Sequence, residues 1–458
     1  MKKLSVVALA VVAVMLFAIP AMAVDVNFEG QYRARGYYMN NSDLDDDCGG
    51  NDAFYDQRFR LLTVFKVHEN LSVTTRWDAF DNVVWGTTDL FGGSNNSMNW
   101  DRAYLTAKFP WFTLDVGRQG GGVWGTLFAD YSYSVERIKV TSKVDNLVFG
   151  GIIQKTTEQD GGQPSATGLA GLLNLVDEDG VNDCLNCDPY QQVEDQDRDT
   201  YYLFFVYKGE GWNGGVLLPF DRKYYVTGAG DLRIKEYAAS PYIQGKFGPL
   251  DVESEFWYDF GSANPKGGED YDIKNWAFYV DLGFDAGPVG IDVGYAHTTG
   301  QEKLKDAGDD RTAWVQGGGR DWQPLLILTG YYMDADLGCL GNLNYRNNGN
   351  NPFGFDLFYG KAEFSPAENV TLSTILGYAQ AAETGYVEQV IEDEFGDDVN
   401  IDKDFGWEWD VGLKWQLMDN LVYDAKAGYL WAGDLWKYGC DHGVDNTWSI
   451  LHALTVTF

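Results

Sequence analysis

From Val24 onward, hydrophobic and polar side chains alternate every second residue, in runs broken by turns. In the first run Val26, Phe28, Gly30, Tyr32, Ala34, Gly36 and Tyr38 share one side, and Asn27, Glu29, Gln31, Arg33 and Arg35 share the other. Successive side chains of a β-strand point to opposite faces, so this is a strand with one apolar and one polar face. The next run repeats it, with Tyr55, Phe59, Leu61, Phe65 and Val67 against Asp56, Arg58 and Arg60, and then turns tightly at His68-Glu69-Asn70. The final run sets Trp448, Ile450, His452, Leu454, Val456 and Phe458 against Ser449, Leu451, Ala453, Thr455 and Thr457. Past the first two dozen residues no apolar run reaches the roughly eighteen residues of a spanning helix.

The breaks come in two sizes. Short turns fall near His68, Pro110, Asp145, Gly211, Pro249, Gly287, Pro366 and Asp419. Long connections fall at 40–53, 82–99, 119–130, 156–199, 226–235, 261–272, 298–352, 382–404 and 434–446. Long and short connections in alternation are the pattern of a transmembrane β-barrel, and their number predicts an all-β, closed antiparallel transmembrane β-barrel of about eighteen strands with both termini at the short-turn end. The count turns on 320–352, where Leu325-Leu326-Ile327-Leu328 has the composition of another strand. Parity assigns that segment to the loop, with sixteen and twenty strands as the neighbouring solutions. Phe65, Phe109, Phe112, Tyr207, Phe247, Phe284, Phe364, Trp415 and Phe458 all fall beside short turns, where an aromatic interface girdle belongs.

Composition agrees: 54 glycines and 15% aromatic residues against only 12 prolines. The 34 basic and 68 acidic side chains give a net charge of −34, with the acids crowded between strands. So acidic a chain excludes nucleic acid as a partner, because phosphate requires a basic surface. Met1-Lys2-Lys3, the apolar stretch Leu4 to Ile19 and Ala21-Met22-Ala23 read as an export signal spanning 1–23. A single barrel domain then occupies 24–458, since no linker separates further domains.

The aromatic carboxy-terminal residue, closing an alternating strand, resembles the insertion signal of bacterial outer-membrane barrels. Asp56-Gln57-Arg58-Phe59-Arg60, the turn Glu69-Asn70-Leu71 with Arg76-Trp77-Asp78, and Gly117-Arg118-Gln119 before Gly121-Gly122-Val123-Trp124-Gly125 are similar to the first third of large Gram-negative porins, including relatives of alginate-export channels. The motifs cover roughly Val24 to Tyr133, and the barrel pattern covers the rest. The resemblance implies an outer-membrane channel of sixteen to eighteen strands for hydrophilic solutes, and it transfers no substrate-binding residue.

Inward parity places Arg33, Arg35, Arg58, Arg60, Arg76, Arg102 and Arg137, with Lys139, on the first six strands. Asp251, Glu253, Glu255 and Asp259, with Asp281 and Asp292, fall on strands eleven to thirteen, across the ring. Two outcomes are open. Either a basic wall faces an acidic one across the lumen and orients dipolar solutes, or each charge pairs locally with an adjacent strand. The glycine-rich stretch Gln119–Gly125 corresponds in order to the loop that folds into the lumen of many porins, with Trp124 as plug or apolar contact; the alternative is a surface loop.

Cys48, Cys184, Cys187, Cys339 and Cys440 all fall in long connections. Cys48 with Cys440, in loops that flank the closure seam, is the preferred disulfide; Cys184 and Cys187 are open to a local bridge or to pairing with Cys339, and an odd count leaves at least one thiol over. Asp177-Glu178-Asp179-Gly180-Val181-Asn182-Asp183 resembles a single thrombospondin type 3 calcium repeat, with Leu175 where that family has its leading aspartate. Asp177, Asp179 and Asp183 are therefore candidate ligands for Ca2+ in the 156–199 loop, against a plain acidic loop, and no cofactor is required. Catalysis finds no support: His452 and Ser449 fall on opposite faces, and His68, His297 and His442 lie at turns or loops. The expected function is an outer-membrane porin passing small hydrophilic solutes and ions with little selectivity, its partners being the lipid bilayer, the solutes and, in a homotrimer, further copies. The alternatives are a dedicated channel for an anionic saccharide and the sheath of a cytochrome electron conduit.

Overall fold

The computed structural model describes residues 24–44, 50–86, 98–158, 197–227, 230–314, 318–330, 343, 352–396, 398–438 and 443–458. Its strands are β1 (Asp25–Asn40), β2 (Asn51–His68), β3 (Leu71–Val84), β4 (Asn99–Lys108), β5 (Thr113–Gly121), β6 (Tyr133–Val144), β7 (Leu147–Thr157), β8 (Arg198–Lys208) and β9 (Trp212–Thr227). They continue as β10 (Gly230–Phe247), β11 (Leu250–Pro265), β12 (Tyr271–Ala286), β13 (Val289–Thr298), β14 (Phe355–Ala367), β15 (Val370–Gln380), β16 (Asp404–Met418), β17 (Leu421–Ala432) and β18 (Thr447–Thr457). Each strand pairs antiparallel with its sequence neighbours, and β18 pairs with β1, so the eighteen-stranded sheet closes on itself. Closure leaves every strand hydrogen-bonded on both sides, as a hydrocarbon environment demands. Phe458 completes the seam: its N–H donates to Gly30 O at 3.0 Å, and Gly30 N–H donates to Phe458 O at 2.7 Å.

The alternation in the sequence becomes two solvents. Outward positions such as Leu203, Ile138, Val293, Leu376 and Leu454 leave large apolar side chains exposed on the barrel wall. A soluble protein does not expose apolar surface around its whole girth, whereas hydrocarbon covers it without cost. Phe65, Phe109, Tyr207, Phe247, Phe284, Phe364, Trp415 and Phe458 are exposed beside the short turns, and Phe112 stacks on Phe109 with centroids 4.6 Å apart.

The apolar core lies inside the barrel. Phe128 and Ala129 from the β5–β6 loop and Trp314, Trp322, Leu325, Ile327 and Leu328 from the β13–β14 loop pack against inward Tyr279, Phe355, Leu357 and Tyr359. Ile401 and Phe405 before and within β16, and Leu435 and Trp436 of a 3-10 helix (Asp434–Tyr438), join them. Leu325-Leu326-Ile327-Leu328 is therefore neither a strand nor an external loop; it returns into the lumen, because an apolar run has no place among solvated loops.

Three connections differ from expectation: the 261–272 segment shrinks to 266–270, because β11 runs to Pro265 and β12 starts at Tyr271. The 226–235 segment is a hairpin in which Gly230 already pairs with Thr227. The 382–404 segment contains a helix, α1 (Gly385–Phe395), whose acidic side chains include structural ones: Glu388 accepts the Thr384 hydroxyl at 3.1 Å and the Ile401 N–H at 3.2 Å. His297 is the next-to-last residue of β13, with Nδ1 2.8 Å from Asp356 Oδ1. The 1–23 leader, all five cysteines, His442 and the proposed calcium ligands Asp177, Asp179 and Asp183 lie outside the described residues. Chain flanking Cys48 and Cys440 does meet, since Asp445 N–H donates to Leu44 O at 3.0 Å.

Candidate functional site: a cationic passage beside an internal plug

Arg33, Arg35, Arg58, Arg60, Arg76, Arg102, Arg137 and Lys139 all line one cavity of about 750 Å³ inside the barrel. The strands dictate this clustering: Arg33 is directly opposite Arg58 across β1–β2, and Arg76 is opposite Arg102 across β3–β4. Like charges at such positions repel, and carboxylates on the same strands offset the repulsion. Arg35 binds Asp56 in a two-pronged pair, at 2.9 and 2.5 Å, with both side chains nearly excluded from solvent. Arg60 Nε donates to Asp78 at 2.8 Å, Arg76 pairs with Asp101, and Arg58 lies 3.8 Å from Asp81. Asn82 Oδ1 accepts from both Arg33 and Arg35 at 2.8 Å. Local pairing and a basic wall therefore coexist: the cavity lining counts nine cationic side chains and four carboxylates.

The β5–β6 loop starts on this wall and crosses to the far one. Trp124 Nε1 donates to Ser240 O on β10 at 3.0 Å, and its ring meets Tyr242 edge-on at 5.2 Å. Glu255 on β11 accepts the Thr126 N–H at 2.7 Å and the Thr126 hydroxyl at 2.8 Å, with Ser240 and Trp257 donating to its other oxygen. Gly125 has φ +64, and a Cβ there would sit 2.7 Å from Glu255 Oε2, so only glycine lets the backbone come this close. Trp124, expected as plug or apolar contact, and Glu255, expected to line the lumen, together seal the loop to the wall, and Glu255 is 1% exposed; the period of two sets its direction but not the loop that covers it.

The other acids divide by environment. Asp251 pairs with Lys246 at 3.1 Å near a short turn. Glu253 is exposed and, with Lys208, Trp212 and Gln244, borders a smaller recess. Asp259 is half-buried, directly opposite Ala238 of β10. Asp281 accepts the Tyr359 hydroxyl at 2.6 Å, and Lys361 Nζ lies 3.5 Å from Asp292. Acidic residues thus do stand opposite the basic wall, but the plug separates the two.

The cavity lining is completed by side chains that strand parity could not supply. Arg320, Asp321 and Gln323 of the β13–β14 loop line the cavity together with Val123 and Ser132 of the β5–β6 loop. The two loops are joined by Ala129 N–H to Gly318 O (2.8 Å), Asp321 N–H to Asp130 O (3.0 Å) and Ser132 N–H to Asp321 Oδ2 (2.8 Å). Gly319, at φ +86, allows the contact, because a Cβ there would come 2.6 Å from the Asp130 backbone. The sequence did carry a signal: Gly317-Gly318-Gly319-Arg320-Asp321-Trp322 repeats the glycine-run-then-tryptophan form of Gly120-Gly121-Gly122-Val123-Trp124.

Asp130 gives this junction a pH dependence. Burial pushes its carboxyl up to about 8, helped by the nearby Glu255 and Asp321 and opposed by the N–H of Trp124, which donates to Asp130 Oδ1 at 2.7 Å. A carboxyl raised in the folded state favours the protonated form. Its contribution is fully present below the ordinary value of 3.8 and is lost as pH rises through about 8. Current fluctuations in single channels are expected to increase between about pH 6 and about pH 9, and Asp130→Asn to remove that increase. Equal noise at both pH values in the unmodified protein would contradict this assignment.

A closed eighteen-stranded antiparallel barrel, apolar outside and charged within, is the architecture of a transmembrane β-barrel. No family model matches the chain, and no curated protein sequence matches it. Among solved structures it is similar to a BenF-like porin from Pseudomonas fluorescens (TM-score 0.51, 10% identity, 94% of this chain and 98% of that one). It is similar also to OpdK of Pseudomonas aeruginosa, solved with vanillate (TM-score 0.50, 10% identity, 94% and 98%), and to OpdL of the same organism (0.50, 9%, 94% and 99%). At such identities the likeness is one of fold.

Proposed function

We propose that the protein is a diffusion channel for small hydrophilic solutes with a preference for anions, small carboxylates in particular, which pass along the basic wall. The excess of nine cations over four carboxylates around one cavity carries this reading. The net charge of −34 does not oppose it, because low-dielectric walls focus the field of the groups that face the passage. A planar guanidinium fork matches a carboxylate in geometry as well as charge. The volume, about 750 Å³, falls in the range of small-molecule sites, which favours small acids over extended anionic saccharides. Loops from the chain itself fill the space beside the passage, which argues against a cytochrome sheath.

Reversal potentials of the purified protein in planar bilayers, under a potassium chloride gradient, test the proposal. Chloride is expected to be the more permeant ion, and small carboxylates to block its current. A cation-preferring channel would end the anion reading while leaving the porin fold intact.

A further inference from the structure

Away from the cavity, two buried carboxylates on β16 collect three consecutive backbone N–H groups of the β13–β14 loop. Leu326 N–H donates to Asp410 Oδ2 at 2.9 Å, Ile327 N–H to Glu408 Oε1 at 2.7 Å and Leu328 N–H to Glu408 Oε2 at 2.7 Å. Glu408 is 0% and Asp410 5% exposed. Irregular backbone placed in a dry interior must have its N–H groups satisfied, and buried carboxylates must have donors. The three N–H groups each find an acceptor here, and three of the four carboxylate oxygens find a donor. Thr329 tightens the same turn, its hydroxyl donating to Leu325 O at 2.8 Å and accepting the Leu325 N–H at 2.9 Å.

Only five residues upstream of this turn, the same loop presents Arg320 to the passage and hydrogen-bonds to the β5–β6 loop through Gly318 and Asp321. That second loop is tied at its far end by Thr126 to Glu255. The two loops thus form one partition across the lumen, held at Glu255 on β11 and at Glu408 and Asp410 on β16.

We propose that Glu408 and Asp410 are positioning residues for ion selectivity: by fixing residues 326–328 they hold Arg320 at the edge of the passage, although neither carboxylate touches a permeating solute. The inference rests on the anion preference proposed above. Glutamine at 408 keeps the size of the side chain but accepts through one oxygen only, so one of the two N–H groups loses its acceptor.

The test is single-channel recording of Glu408→Gln and of Glu408→Gln with Asp410→Asn, on protein whose heat-modifiable gel mobility shows an assembled barrel. Conductance is expected to rise on the order of twofold as the partition loosens, with the chloride-over-potassium preference falling towards that of Arg320→Gln. Arg320→Gln itself should lower the preference without the rise in conductance. Should the β16 variants fail to assemble, Ile327→Pro, which removes the donor to Glu408 together with a buried side chain, is compared with Ile327→Val, which trims the side chain and keeps the donor; only the first is expected to reproduce both changes. Assembled variants with unaltered conductance and selectivity would overturn the proposal. A wild-type channel without anion preference would instead remove the reading beneath it, and the conductance change would still report whether the carboxylates hold the partition.

Discussion

Replacing Arg137 and Lys139 together with glutamine will remove most of the channel's anion preference, lowering the chloride-over-potassium permeability ratio roughly tenfold. Most cations of the wall form an ion pair with a carboxylate, whereas these two make none among the described residues: Arg137 Nε donates to the neutral Gln119 at 3.2 Å, and the two share a single carboxylate, Asp115, opposite Lys139 across β5–β6. Both face the cavity from β6. A unit charge about 4 Å from a permeating anion contributes about 1 kcal/mol in water and more near a low-dielectric wall, and about 1.4 kcal/mol corresponds to a factor of ten. Arg35 makes the contrast. Its charge is met by Asp56 in the buried pair, so Arg35→Gln should alter selectivity little and stability much, by about 3–5 kcal/mol, because it leaves a buried carboxylate uncompensated. Reversal potentials for both variants, set against denaturant titrations in lipid vesicles, separate the two effects. Equal selectivity loss in both would mean that total charge, rather than unpaired charge, governs permeation.

How far the sequence reached follows from the range of each interaction. Strand faces depend on a period of two along neighbouring residues, so the inward direction of Arg33, Arg58 and Arg76 was legible from the chain alone, as were the eight short turns and the closing strand. What covers an inward side chain is set by segments distant in sequence. Glu255 and Thr126 are 129 positions apart, and Leu328 and Glu408 are 80. No local pattern announces such pairs. The apolar run Leu325 to Leu328 is visible in the sequence and has no strand partner, which in a barrel leaves only the lumen; the acceptors of its backbone N–H groups, Glu408 and Asp410, lie more than eighty residues away from its start and no local pattern links them. The extra strand length at 226–235 is hidden for the opposite reason, since Gly228-Ala229-Gly230 has the composition of a loop while the register of β9 on β10 continues to the pair Thr227 and Gly230.

The division between hydrocarbon and water can be tested at one residue between two that look unsuitable for a membrane. Ile138 lies between Arg137 and Lys139 on β6, is 46% exposed and points outward, opposite Val116 on β5 and Ile153 on β7. Ile138→Arg would place a third consecutive cation in the strand, and only this one would face lipid. A cation on the lipid face near the bilayer midplane costs about 2–4 kcal/mol, whereas Lys139→Arg keeps a cation in the lumen and should cost almost nothing. Refolding into lipid vesicles, followed by denaturant titration, is expected to show that large loss for the first and near-wild-type stability for the second. If both variants proved equally stable, position 138 would be bathed in water, and neither the channel nor the basic wall inside it could stand as described.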